Sequence, residues 1–177
     1  MSRLLLALVA GASLIAAPTL AHDHKAKAAK GNIVGIASSS PDHKTLVAAV
    51  KAADLVSTLA SGGPFTVFAP TDAAFTRLPA GTVDTLLQPA NKSSLQQVLT
   101  YHVVSGKVTA SQLVRKIEAG GGKASLTTVE GSPLVATLEG GKVILTDEKG
   151  GKATVVTTDL TASNGVIHVT DAVSIPS

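Results

Sequence analysis

The sequence predicts an α+β domain. Three observations carry that prediction. Apolar residues recur at helical spacing through the first half of the chain. After Gly120 the texture changes to short runs rich in Val, Thr, Leu and Ile, separated by glycine turns. One strand-like run, Phe65 to Ala69, stands among the helical segments and leads directly into a helix start.

The chain opens with MSRLLLALVAGASLIAAPTLA. One basic residue, Arg3, precedes an apolar run from Leu4 to Ala17. Thr19-Leu20-Ala21 then has the small outer residues that a signal peptidase selects. Residues 1–21 are expected to be a secretory signal peptide, with the mature chain starting at His22. A retained anchor is the alternative, but the run is short for a membrane span. Residues 22–31 read as a mobile polar tail, and residues 32–176 as the folded domain.

From Asn32 a helical region begins. Leu46, Val50 and Ala53 fall on one face, and Leu55, Val56 and Leu59 continue it past Asp54. Pro41-Asp42 opens that helix and Ser61-Gly62-Gly63-Pro64 closes it. The strand Phe65 to Ala69 follows, then a short helix from Asp72 to Leu78 capped by Thr71. Thr82 is positioned to cap another short helix that stops before Pro89. Asn91 to Val104 reads as a longer helix, with Leu95, Val98, Leu99 and His102 at i, i+3, i+4 and i+7, which turns His102 toward the core. Thr109 and Gln112 have capping-box spacing. Beyond Gly120, the turns fall at Gly131-Ser132, Gly140-Gly141-Lys142, Gly150-Gly151-Lys152 and Asn164-Gly165. The last begins GVIHVTDAV after an Asn-Gly pair, which favours tight hairpin turns.

Composition narrows the function. Of 177 residues only three are Phe and one is Tyr, so the core is built from Ala, Val and Leu and each ring matters to packing. The net charge of +3 is carried outside the domain: Arg3, Lys25, Lys27 and Lys30 are four of the fifteen basic residues, and Asp23 is the one acid before Gly31. The domain itself is balanced and lacks the basic face that nucleic-acid binding needs. There is no cysteine, hence no disulfide and no lipidated cysteine anchor.

Motifs for chemistry fail one by one. None of the Gly-Gly-Lys turns has the spacing of a phosphate-binding loop. No Gly-x-Ser-x-Gly elbow appears, and Asp and Glu are sparse and sit mostly at caps and turns. No cofactor and no catalytic residue is expected. One metal site is possible on paper: cleavage after Ala21 would expose His22-Asp23-His24, whose amine, two amides and His24 imidazole suit square-planar Cu(II) or Ni(II). A plain polar terminus is the other reading. His102 and His168 read as buried, hydrogen-bonded, neutral side chains. In the strand, Phe65 and Val67 face one side and Thr66 and Phe68 the other.

Three segments together resemble the fasciclin-like domain family: TVFAPTDAAF (Thr66 to Phe75), YHVV (Tyr101 to Val104) and NGVIHVTDAVSIP (Asn164 to Pro176). NIVGIA, SPDHKTLVAAVKAADLVSTL and LPAGTVDTLLQP extend the likeness across residues 32–176. The resemblance implies a helical cluster packed on a β-sandwich or wedge. Its motif residues, Thr66, Phe68, Pro70, Thr71, Asp72, Phe75, Tyr101, His102, Asn164, Gly165, His168 and Asp171, are then structural. It further implies a secreted or periplasmic, non-enzymatic adhesion module, whose partner is a cell-surface or matrix protein or a polysaccharide. In animal matrix members the Tyr-His pair is linked to receptor contact, which maps onto Tyr101 and His102; the periodicity makes the pair mainly structural here. The animal Asn-Lys-Asp-Ile-Leu string becomes Asn91-Lys92-Ser93-Ser94-Leu95, without the acid. His43 stands where the family has an aromatic, and is expected to be a half-exposed surface residue. Some relatives carry carotenoid-like apolar molecules in a groove, which Leu and Val could line here.

Overall fold

The computed structural model of the chain describes residues 31–176. Seven helices and seven strands follow in an order that keeps most helices ahead of most strands. Helix α1 (Ile33–Ser39) starts at Asn32, whose side chain accepts from the Gly35 amide at 2.8 Å. A 3-10 turn (Pro41–His43) leads into α2 (Lys44–Ala52) and then α3 (Val56–Ser61). The expected continuous helix breaks between them, because Asp54 adopts a left-handed backbone with φ 62° and ends α2.

Strand β1 (Phe65–Pro70) runs into α4 (Asp72–Thr76), capped as expected by the Thr71 side chain on the Ala74 amide. In α5 (Thr82–Leu86) the cap position belongs to Gly81 and not to Thr82, which is the first helical residue. Helix α6 (Lys92–Tyr101) also ends earlier than its periodicity suggests. Val103 and Val104, both β-branched, leave the helix to form β2 (Val103–Ser105), antiparallel to β1. Helix α7 (Ala110–Ala119) carries the full capping box between Thr109 and Gln112. Five strands complete the chain: β3 (Lys123–Thr127), β4 (Pro133–Glu139), β5 (Lys142–Thr146), β6 (Lys152–Ala162) and β7 (Gly165–Thr170).

The strands form one mixed sheet in the order β2-β1-β7-β6-β5-β4-β3. Only the β1–β7 pair is parallel, with Phe65 opposite Gly165 and Pro70 opposite Thr170. The sheet curls until its ends nearly meet. Val104 bridges Thr128 just past β3, and the Val129 amide donates to the Val103 carbonyl at 2.7 Å. The result is a wedge close to a barrel, and closure removes most exposed edge donors.

Two cores lie on opposite faces of β1. Val67, Ala69 and Ile167 join α1, α2, α3 and α6 in a helical core. Phe68 points the other way, into the wedge, with Tyr101, Leu113, Ile117 and the inward faces of β3 to β6. This is the alternation expected along Phe65 to Phe68. It also explains why all of β7 is buried: the strand is covered on both faces, and its polar members His168 and Thr170 are hydrogen-bonded inside.

Candidate functional site

The three signature segments meet at the β1–β7 pair and the end of α6. Thr66 is fully buried. Its hydroxyl donates to the Gly106 carbonyl at 2.7 Å and accepts from the Val108 amide at 2.8 Å. Beside it Phe68 stacks on His168, with ring centroids 5.5 Å apart. His168 Nε2–H donates to the Val108 carbonyl at 2.9 Å, and Nδ1 accepts from the Asp159 amide at 3.3 Å. His102 has the opposite tautomer. Its Nδ1–H donates to the Val98 carbonyl at 2.6 Å, and Nε2 accepts from the Ser174 amide at 3.0 Å. Burial pushes both imidazoles below their ordinary value, more than the carbonyl bonds and the nearby Asp147 and Asp159 carboxylates raise them. Each ring is therefore neutral near pH 7 with both nitrogens hydrogen-bonded to the fold, and neither presents a nitrogen to a substrate or a metal.

Tyr101 is wholly buried and its hydroxyl donates to the Pro133 carbonyl at 3.1 Å; His102 is 4% exposed. The pair offered by the resemblance for receptor contact thus points inward, as the helical spacing of His102 requires. The Phe68 amide in turn donates to the His102 carbonyl at 2.8 Å, tying the end of α6 to β1.

The polar motif residues act as clasps. Asn164 accepts from the Ile33 amide at 3.0 Å and donates to the carbonyls of Leu59 at 2.6 Å and Gly62 at 3.1 Å. One side chain joins α1, α3 and the β6–β7 turn. Gly165 has no room for a side chain, since a Cβ there would lie 2.0 Å from the Phe65 carbonyl oxygen. Asp171 accepts from the Thr154 amide at 2.7 Å and pairs with Arg77 at 3.4 Å. Asp72 accepts from the Thr45 amide at 2.8 Å. Slight burial pushes the Asp72 carboxyl up, but donors from Thr45 and Lys44 and the neighbouring His43 outweigh it and hold the group below its ordinary value.

His43 corrects the sequence reading. It is 5% exposed, not a half-exposed surface residue. The 3-10 turn rolls the ring inward, where Nδ1 meets the Ser40 hydroxyl at 2.8 Å and the ring lies beside Ile36, Ala37, Ala69 and Ile167. An imidazole occupies the place an aromatic would fill.

What the sequence hinted at only faintly is a cavity. A space of about 120 Å³ lies among α2, α4, α5, α6 and the residues after β7. Its walls are Phe75, Leu78, Leu86, Leu95, Leu99 and Val173 with their neighbours, His102 among them. Helix α5 covers it without having a single fully buried residue. The lining side chains are scattered over residues 49–175, so no local motif could announce them. Phe75, expected to return to the body, forms part of this wall, half buried against the helical core. A second concavity, open and polar, lies at the other end of β1 and β7 beside Pro64, Asn164 and Gly165, with Lys107 its one charged lining residue.

Among the described residues no group of three or more His, Cys, Asp or Glu could hold a metal ion, and no helix is long and apolar enough to cross a membrane. His22 and His24 lie outside the described residues.

Comparisons with known proteins agree with this architecture. The family model described as Fasciclin domain matches residues 41–176. Protein sll1483 of Synechocystis is 53% identical over 144 residues, which cover 81% of this chain and 73% of that protein. Immunogenic protein MPB70 of Mycobacterium bovis is 36% identical over 145 residues, covering 79% of this chain and 66% of its own. A FAS1 domain pair from the insect cell adhesion molecule Fasciclin I superposes with a TM-score of 0.69 at 21% identity, over 80% of this chain and 50% of that one.

Proposed function

The chain belongs to the fasciclin domain family, and on that premise we propose that it is an exported, non-enzymatic interaction domain. It acts at the cell surface or in the periplasm of a bacterium, holding a cell-surface or matrix protein or a polysaccharide. One observation carries the non-enzymatic part. The rings and histidines of the signature segments spend their polar atoms on the fold itself, so none is poised over a substrate. The balanced charge of the domain supports a protein or glycan partner over nucleic acid. Titrating the mature chain onto envelope fractions and onto purified surface polysaccharide tests the reading. Saturable binding lost on unfolding is expected; no saturable binding to either material would sink it.

The cavity favours a second reading, carriage of a small apolar molecule. An apolar protein cavity of roughly 150 Å³ binds benzene, and this one, at about 120 Å³, is near that size. It suits a single ring or a short branched end group, not a whole carotenoid. Benzene added to the chain should shift the methyl resonances of Val83 and Leu86, and Leu86→Phe should abolish the shifts by filling the space. Methyl shifts that ignore benzene would end this reading.

A further inference from the structure

The chain does not stop at the end of β7. Residues 171–176 continue as a strap across the end of the helical core, outside any strand. Val173 and Ile175 of this strap form part of the cavity wall, beside α5 and α6. The backbone amides between and beside them have an unusual pair of acceptors. Ser174 N–H donates to His102 Nε2 at 3.0 Å, and Ile175 N–H donates to Asp147 Oδ2 at 3.0 Å. Two successive amides of one strap are thus held by side chains that can take up a proton, where a sheet would have used carbonyls.

We propose that the strap is an acid-released latch on the apolar cavity, with His102 as its catch. This deepens the small-ligand reading and rests on it for its purpose. The acceptor at Ser174 is a lone pair that exists only while the imidazole is neutral. A proton on Nε2 replaces it with an N–H that faces the Ser174 N–H, so the bond is lost and the two donors repel. The other nitrogen gives no relief, because Nδ1–H is already committed to the Val98 carbonyl at 2.6 Å. The elements packed around His102 offer the new cation little else. The two apolar cavities it lines are shared with side chains of α1 to α6, β1, β7 and the strap, of which only Thr82 is polar and none is charged. The charged group acting on it is the Asp147 carboxylate from the β5–β6 turn, which is the acceptor for the next strap amide. Asp147 also accepts from the Lys149 and Gly151 amides at 3.1 and 2.6 Å and acts on buried Tyr101. An imidazolium drawn to that carboxylate competes with Ile175, so both holds loosen together. At neutral pH burial keeps the ring uncharged, and the strap stays shut.

The test is amide hydrogen exchange of the full chain, expressed as protection factors, at about pH 7 and about pH 5. Ser174 and Ile175 should lose protection by about tenfold or more while the β1 and β7 amides keep theirs. His102→Gln, which can offer a carbonyl oxygen near the Nε2 position but does not titrate, should remove this pH dependence. Unchanged protection of the two strap amides relative to β7 overturns the latch, as does opening in His102→Gln equal to that of the native chain. If that variant does not fold, ring ¹⁵N shifts of the native chain decide. Strap opening and His102 protonation must share one midpoint, and separate midpoints refute the mechanism. Benzene exchange into the cavity, followed on the same samples, separates the two ideas. Faster exchange in acid supports the latch. Absence of any benzene shift ends the ligand reading alone, and the strap amides still decide the latch.

Discussion

Phe68 shows how much of this molecule rests on single residues. It is fully buried between the sheet and the wedge interior and stacks on His168. Its ring neighbours Tyr101 and His168 are held by their own hydrogen bonds, so neither can spread into the gap it would leave. Phe68→Ala should therefore cost about 3–5 kcal/mol in a urea melt; a loss under about 1 kcal/mol would contradict its packing role. Asn164 is the polar counterpart. Its replacement by Ala strands the Ile33 amide and two carbonyls at the junction of α1, α3 and the β6–β7 turn. We expect a loss of about 2–3 kcal/mol, because buried groups left without partners cost more than an average hydrogen bond contributes. A variant as stable as the native chain would show that water replaces all three contacts. That these two residues matter was visible in the sequence, from the scarcity of rings and from the Asn-Gly turn. That Asn164 reaches back across more than a hundred positions to α3 was not.

At the scale of elements, local signals were reliable where the chain decides locally. Thr109 and Gln112 form the capping box their spacing predicts, and Thr71 caps α4. Thr109→Ala should weaken α7 by about 1 kcal/mol, read as a lower denaturation midpoint with an unchanged slope; an unaltered midpoint would mean that packing of Leu113 and Ile117 alone sets the helix. Periodicity carried α6 through Val104, yet Val103 and Val104 belong to β2, because pairing with β1 closes the sheet and tertiary pairing overrides a helical pattern. The apolar stripe past Asp54 is real, but a left-handed residue redirects it, so α3 presents Leu59 to the core along a new axis. His43 is buried rather than half-exposed for a related reason: it ends a 3-10 turn, whose three residues per turn differ from the α-helical period of the helix that follows.

For the whole molecule, His102 and His168 set the response to pH. Both have folded values below the ordinary 6.5. As pH falls through 6.5 the unfolded chain takes up protons that the folded chain refuses, so the unfolded state gains and stability drops until the folded values are passed. Asp72, held below its ordinary 3.8, has the same sign and adds a further loss in stronger acid. Urea midpoints should fall steadily from about pH 7.5 to about pH 4.5; a flat profile would mean that the rings titrate as freely as in the unfolded chain. The sequence by itself determined the α+β class, the family, the alternation of β1 and the inward direction of His102, since each depends on periodicity or on a contiguous motif. Only the tertiary structure decided the parallel β1–β7 pair, the near closure of the sheet, the cavity beneath α5 and the two titratable side chains that hold the strap. Those features join residues far apart in the chain, and their energies come from pairing and burial between elements, to which no local pattern is sensitive.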